Sequence, residues 1–98
     1  MPLNVEVKLL GTLRGISGRD RIPLKLRGET ATVRDVIQEL VDRLPGRFKR
    51  MLVDPELESP RPNTLILLNG REIGVLSGLE TPVRDGDEVV LLPVSHGG

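Results

Sequence analysis

The chain has 98 residues, and fourteen basic and fourteen acidic side chains balance to no net charge. That length gives one domain with one modest core, and the balance of interspersed signs excludes strong long-range steering. With no cysteine and Phe48 as its single aromatic, the chain excludes a disulfide framework, a thiol nucleophile, a thiolate metal site and a platform for stacking nucleic-acid bases.

Met1-Pro2-Leu3-Asn4 shows no basic stretch followed by an apolar one, so no signal peptide is expected there. No apolar run approaches the length that spans a bilayer. A cytoplasmic protein with no membrane partner is the expectation. Leu3 to Leu10 alternates, with Leu3, Val5, Val7 and Leu9 on one side and Asn4, Glu6 and Lys8 on the other. Period two predicts a half-buried strand. Gly11 and the cluster Gly15-Ile16-Ser17-Gly18 predict a loop. Arg21 to Arg27 alternates again, and Pro23, which has no N–H for a ladder, puts this strand at a sheet edge. The pair reads as a hairpin.

Val33, Val36, Ile37, Leu40, Val41 and Leu44 recur at helical spacing and predict one long amphipathic helix over 33–44. Thr32 is its expected N-cap, with Asp35 completing a capping box. Pro45-Gly46 ends it. Residues 45 to 63 read as a packed connection, in which Phe48, Met51, Leu52 and Val53 put one short helical turn on the core. Pro55, Pro60 and Pro62 bar any long element.

Thr64 to Leu68 predicts a third strand, Asn69-Gly70 a two-residue turn, and Arg71 to Val75 a short fourth strand with a bulge or an end at Gly74. Residues 77 to 82 read as a short helical turn or loop. Arg84-Asp85-Gly86-Asp87 is a turn, and Glu88 to Val94 is the fifth strand, running into Ser95-His96-Gly97-Gly98. The whole is α+β, a mixed sheet of about five strands packed on one main helix. The first two strands are one-sided, whereas Leu65-Ile66-Leu67-Leu68 and Val89-Val90-Leu91-Leu92 are apolar on both sides. The segment 45–63 covers their second face, or that face is an exposed partner site.

No self-contained active site is legible. His96 is the only histidine and sits in a glycine-flanked tail, where nothing holds it against a substrate. The carboxylates are dispersed. Asp85-Gly86-Asp87-Glu88 lacks the ligand alternation and distant glutamate of a calcium loop, and the glycines of 11–18 lack the ending of a phosphate cradle. The basic residues are not interleaved with aromatics, so direct nucleic-acid binding is not expected. The Gly-Gly end remains. Without Cβ atoms such an end lies extended in a narrow channel and leaves its carboxylate open to attack. A frayed terminus of small residues is the other reading of the tail.

The single helix, the strand order and the motifs Leu67-Leu68-Asn69-Gly70-Arg71-Glu72-Ile73, Gly78-Leu79-Glu80-Thr81-Pro82, Asp85-Gly86-Asp87-Glu88-Val89-Val90-Leu91-Leu92-Pro93 and Gly97-Gly98 resemble the MoaD/ThiS sulfur carriers. These are ubiquitin-like β-grasp proteins related to the ubiquitin-related modifiers and the small archaeal modifiers. The resemblance implies a substrate rather than an enzyme, with no cofactor of its own. An activating enzyme using ATP and magnesium would adenylate the carboxylate of Gly98, with His96 and Gly97 threading its channel. A sulfur donor would then make a thiocarboxylate for a molybdopterin-synthase large subunit or a tRNA-thiolating enzyme, or a target lysine would take the acyl group as an isopeptide. His96-Gly97-Gly98 resembles the modifier-like ending, while Leu91-Leu92-Pro93-Val94-Ser95 is closer to the MoaD-like carriers. The resemblance implies a β-grasp domain over 1–94 and a flexible tail over 95–98. It also puts Val89 and Leu91 in the core and Val90 and Leu92 on the outer face beside Leu65 and Leu67, as the docking patch for the activating enzyme. Alternation alone does not set that parity. The competing reading is a β-grasp interaction module with an inert tail.

Overall fold

The computed structural model describes residues 3–54, 59–60 and 64–93. Strand β1 (Leu3–Leu9) buries Leu3, Val5, Val7 and Leu9 and turns Asn4, Glu6 and Lys8 outward. Strand β2 (Arg21–Leu26) pairs with it antiparallel, Val5 opposite Leu24 and Glu6 opposite Pro23. It is an edge strand, so the missing N–H of Pro23 costs no ladder bond.

The segment between them is not a loop. Gly11–Ser17 forms a two-turn helix, α1, which buries Leu13 in the core and packs against the strand over Glu88–Pro93. Gly11 and Gly18 read as loop formers but serve the ends of the helix, while Gly15 sits within it. Gly11 enters at φ +59°, and Gly18 closes the helix at φ +73° with its N–H on the Arg14 carbonyl, a left-handed C-terminal stop. Burial of Leu13, rather than local propensity, holds so short a helix.

A two-residue strand β3 (Ala31–Thr32) leads into α2 (Val33–Arg43). The expected capping box is present: the Asp35 N–H donates to Thr32 Oγ1 at 3.4 Å, and the Thr32 N–H donates to Asp35 Oδ2 at 2.9 Å. Val33, Val36, Ile37, Leu40 and Val41 of α2 are buried. Leu44 ends the helix in extended conformation. The Pro45 carbonyl then accepts from the Phe48 N–H, opening α3 (Gly46–Leu52). Two turns form here where one was expected. Phe48 and Leu52 are fully buried in the same core as α2 and α1.

Strands β4 (Val53–Asp54) and β5 (Ser59–Pro60) pair with each other. Strand β6 (Thr64–Leu68) turns at Asn69-Gly70 into β7 (Arg71–Glu72). Asn69 at φ +50° and Gly70 at φ +87° give the primed turn that the dipeptide predicts. The fourth strand is shorter than the expected 71–75. The Glu72 carboxylate accepts the Gly74 N–H and starts a 3-10 turn over Ile73–Val75. A second 3-10 turn, Gly78–Glu80, precedes β8 (Pro82–Val83), which pairs with β3. Strand β9 (Glu88–Pro93) completes the main sheet in the order β2-β1-β9-β6-β7. It runs parallel to β1 and antiparallel to β6. This mixed five-stranded sheet crossed by one long helix is the architecture expected from the sequence.

Candidate functional site

Strand β9 carries the chain toward the Gly-Gly end, so the site is built around it. Both of its neighbours are long. Val7 and Leu9 of β1 pair with Val89 and Leu91 on one side, and Leu68 and Ile66 of β6 pair with the same residues on the other. Val89 and Leu91 are fully buried. Past the ladder, the Leu10 N–H donates to the Leu91 carbonyl at 3.1 Å. The start of α1 also lies against the end of the strand: a Cβ on Gly11 would stand 3.6 Å from Pro93 Cδ.

The register of β9 is pinned by side chains at its entry. The Asn69 N–H donates to the Glu88 carbonyl at 2.9 Å, the Glu88 N–H donates to Asn69 Oδ1 at 2.9 Å, and Asn69 Nδ2 donates to Asp87 Oδ1 at 3.0 Å. The other oxygen of Asp87 accepts the Arg84 N–H at 2.7 Å, closing the 84–87 turn, where Gly86 has φ +90°. Asp85 accepts the Asn4 N–H at 2.8 Å, and the Gly86 N–H donates to the Asn4 carbonyl at 2.7 Å. The Asp-Gly-Asp segment therefore ties the start of β9 to both β1 and the β6–β7 turn. Sequence reading treated these residues only as turn formers. The signal for more was present, since Asn69 and Asp87 carry spare donors and acceptors that a turn alone does not use.

That register fixes the parity that alternation leaves open. Leu65 pairs with Leu92 and Leu67 with Val90. These four side chains share the outer face, because Ile66 and Leu68 of β6 and Val89 and Leu91 of β9 occupy the inner one. Leu65, Leu67 and Leu92 are half-buried. Val90 is more enclosed than the outer-face expectation suggests, at 8% exposure, yet it stands apart from the core cluster. Its cross-strand neighbours, Leu67 on β6 and Lys8 on β1, flank it on the same face. The segment 45–63 does not cover this face with its helix: Phe48 and Leu52 of α3 join the core on the opposite side, as do the buried residues of α1 and α2.

The rest of the outer face is polar. Arg21 donates to Glu6 and lies 3.7 Å from Glu88. The bond to Glu6, then the charge of that carboxylate, raise the guanidinium above its already high value, so Arg21 stays cationic at any ordinary pH. The outer surface is thus divided into a charged half over β1 and β2 and an apolar half over β9 and β6. His96, Gly97 and Gly98 lie outside the described residues. Gly98 is five positions beyond Pro93, and five extended residues span at most about 17 Å.

Among the described residues, no three or more His, Asp or Glu side chains are grouped to hold a metal, and no buried side-chain polar atom is left unpartnered. The described groups form no nucleophile–base pair. What they make is a rigid strand with an apolar flank.

Comparison with known proteins agrees with that geometry. The family model described as "ThiS family" matches residues 7–98. Small archaeal modifier protein 3 of Haloferax volcanii is 32% identical over 96 residues, covering 98% of this chain and all of the relative. A putative sulfur carrier protein of Archaeoglobus fulgidus is 36% identical over 77 residues, 76% of this chain and 83% of that one. The solution structure of small archaeal modifier protein 1 from Methanosarcina acetivorans superposes with a TM-score of 0.79 at 34% identity, over 100% of this chain and 99% of the other.

Proposed function

We propose, from the premise that the chain belongs to the ThiS family, that its working group is the carboxylate of Gly98 and that the folded domain exists to present it. The chain is a ubiquitin-like β-grasp carrier of the sulfur-carrier and modifier type, and not an enzyme. In the proposed reaction a partner enzyme binds ATP and magnesium. The Gly98 carboxylate oxygen attacks the α-phosphorus, and pyrophosphate leaves. The acyl-adenylate then loses AMP to one of two nucleophiles. Sulfur at the sulfide level gives a thiocarboxylate, which can pass its sulfur to tRNA or to a molybdopterin precursor. A target lysine amine gives an isopeptide and releases one proton.

The observation that carries this reading is the placement of β9: held on both sides, pinned at its entry by Asn69, Asp85 and Asp87, and flanked by Leu65, Leu67, Val90 and Leu92. A partner that takes the tail must meet the carrier within the reach of five residues. The apolar quartet is the docking surface available at that distance, with His96 and Gly97 as the threaded segment. We place the proposed ATP-dependent reaction in the cytoplasm. Among the described residues, no helix is long and apolar enough to cross a membrane.

Mass spectrometry of the intact C-terminus tests the chemistry. With ATP, magnesium, a sulfur donor and a matched activating enzyme, one oxygen of Gly98 is replaced by one sulfur. Conjugation instead leaves the peptide 85–98 on target lysines after tryptic cleavage at Arg84, the last basic residue of the chain. Deleting Gly97 and Gly98 abolishes both. The apolar quartet also favours a second reading, a protein-interaction module with an inert tail, and partner binding that survives the deletion, together with no adduct on Gly98 of the full chain, would establish it.

A further inference from the structure

Helices α1 and α3 pack against each other on the core, and both bury apolar residues there: Leu13 from α1, Phe48 and Leu52 from α3. The charged side chains on their outward arcs are basic, with exposed Asp20, which lines a shallow depression together with Arg14 and Arg19, at the border. Arg14 and Arg19, at and just past the end of α1, and Arg47, Lys49 and Arg50 on α3 are all exposed. No acidic residue occurs from position 7 to 19 or from 43 to 53. Elsewhere three of the described arginines find carboxylates, Arg21 with Glu6, Arg34 with Glu80 at 2.8 Å and Arg43 with Glu39 at 2.9 Å, while Arg27, Arg71 and Arg84 stand singly at separate places on the surface. Arg14, Arg19, Arg47 and Lys49 form no ion pair among the described residues. In a chain with no net charge, this predominantly basic surface is a local excess offset on other faces.

Its position gives the excess a partner. The start of α1 stands against Pro93, the last described residue of the tail-bearing strand. Any protein that draws the following residues into a channel approaches the surface around that exit, where the start of α1 stands and α3 in turn packs against α1. We infer that the basic face of α1 and α3 is a second docking surface, distinct from the apolar quartet, for an acidic rim on the protein that receives the tail. This rests on the carrier reading proposed above. An acidic protein surface is favoured over a nucleic acid because the face carries no aromatic for base stacking, Phe48 being fully buried. A polyanion laid on it would also meet the acidic excess of the other faces. Charge complementarity of this kind acts mainly on encounter and orientation, and it weakens with salt.

The test uses the full chain and a matched activating enzyme in ATP–pyrophosphate exchange, reading KM for the carrier. The double reversal R14E/K49E is compared with K25E/R27E, which changes net charge equally on β2 and the loop after it. The milder R14Q/K49Q guards against loss of the short helices. R14E/K49E raises KM about tenfold at low ionic strength with kcat unchanged, R14Q/K49Q raises it by a smaller factor, and both effects fade as the Debye length shrinks. K25E/R27E leaves KM within about twofold. Equal effects of the two reversals overturn the inference, as does an unchanged KM in both helix variants. Loss of binding to unfractionated tRNA by R14E/K49E, with KM unchanged, overturns it in favour of a nucleic-acid occupant. No exchange with the wild-type chain removes the carrier reading itself, and the inference with it.

Discussion

Replacing Asn69 by alanine tests how the register of the tail-bearing strand is set. Asn69 sits at φ +50°, where an ordinary L residue costs about 1 kcal/mol more than asparagine. The substitution also removes the bonds of Asn69 Oδ1 with the Glu88 N–H and of Asn69 Nδ2 with Asp87 Oδ1. Both are exposed, so each contributes about 0.5 kcal/mol, at the low end of the usual range. Asn69→Ala should therefore cost about 2 kcal/mol. Asn69→Gly loses the same two bonds but adopts the left-handed conformation freely, and should cost about 1 kcal/mol. In urea unfolding both variants lower the midpoint with an unchanged slope. For a chain of this size the alanine variant should melt about 8–16 °C lower and the glycine variant about half as far. A double-mutant cycle with Asp87→Ala should return a coupling of about 0.5 kcal/mol. Equal destabilisation by alanine and glycine would refute the backbone argument. Loss below about 0.5 kcal/mol in both variants would refute the side-chain pin.

Two further outcomes follow from the packing. Phe48→Ala empties the largest fully buried side chain in the core and should cost about 3–5 kcal/mol by calorimetry or urea unfolding; a loss under about 1 kcal/mol would mean that α3 is not docked in solution. Leu92→Asp changes a half-buried outer-face residue paired with Leu65 and should cost only about 1 kcal/mol of stability, while raising KM for the activating enzyme more than about tenfold; a normal KM would remove the apolar quartet from the docking surface.

The sequence made most of this legible where one residue type has one use. Thr32 with Asp35 predicted a capping box, Asn69-Gly70 a primed turn and Pro23 an edge strand, and each is present. It failed where one residue type serves two ends. Glycines at 11 and 18 read as loop, although one starts and the other stops a helix held by Leu13. Residues 71–75 read as strand until the Glu72 carboxylate captured the Gly74 N–H. The outer-face quartet was legible only through resemblance, because parity in a strand apolar on both sides is decided by register. Register here is set by long-range bonds from Asn69, Asp85 and Asp87. The basic face was missed for a related reason: its residues are scattered over two segments that meet only when α1 and α3 pack.

The parallel pairing of β9 with β1 has a mechanical consequence. A partner that draws the residues after Pro93 into a channel pulls along the strand axis. The ladder bonds to β1 and β6 lie across that axis, so they share the load instead of opening one at a time. The entry pins at Asn69 and Asp87 load together with them. Traction on the residues after Pro93 therefore loads the sheet in shear, and the domain acts as a stiff grip.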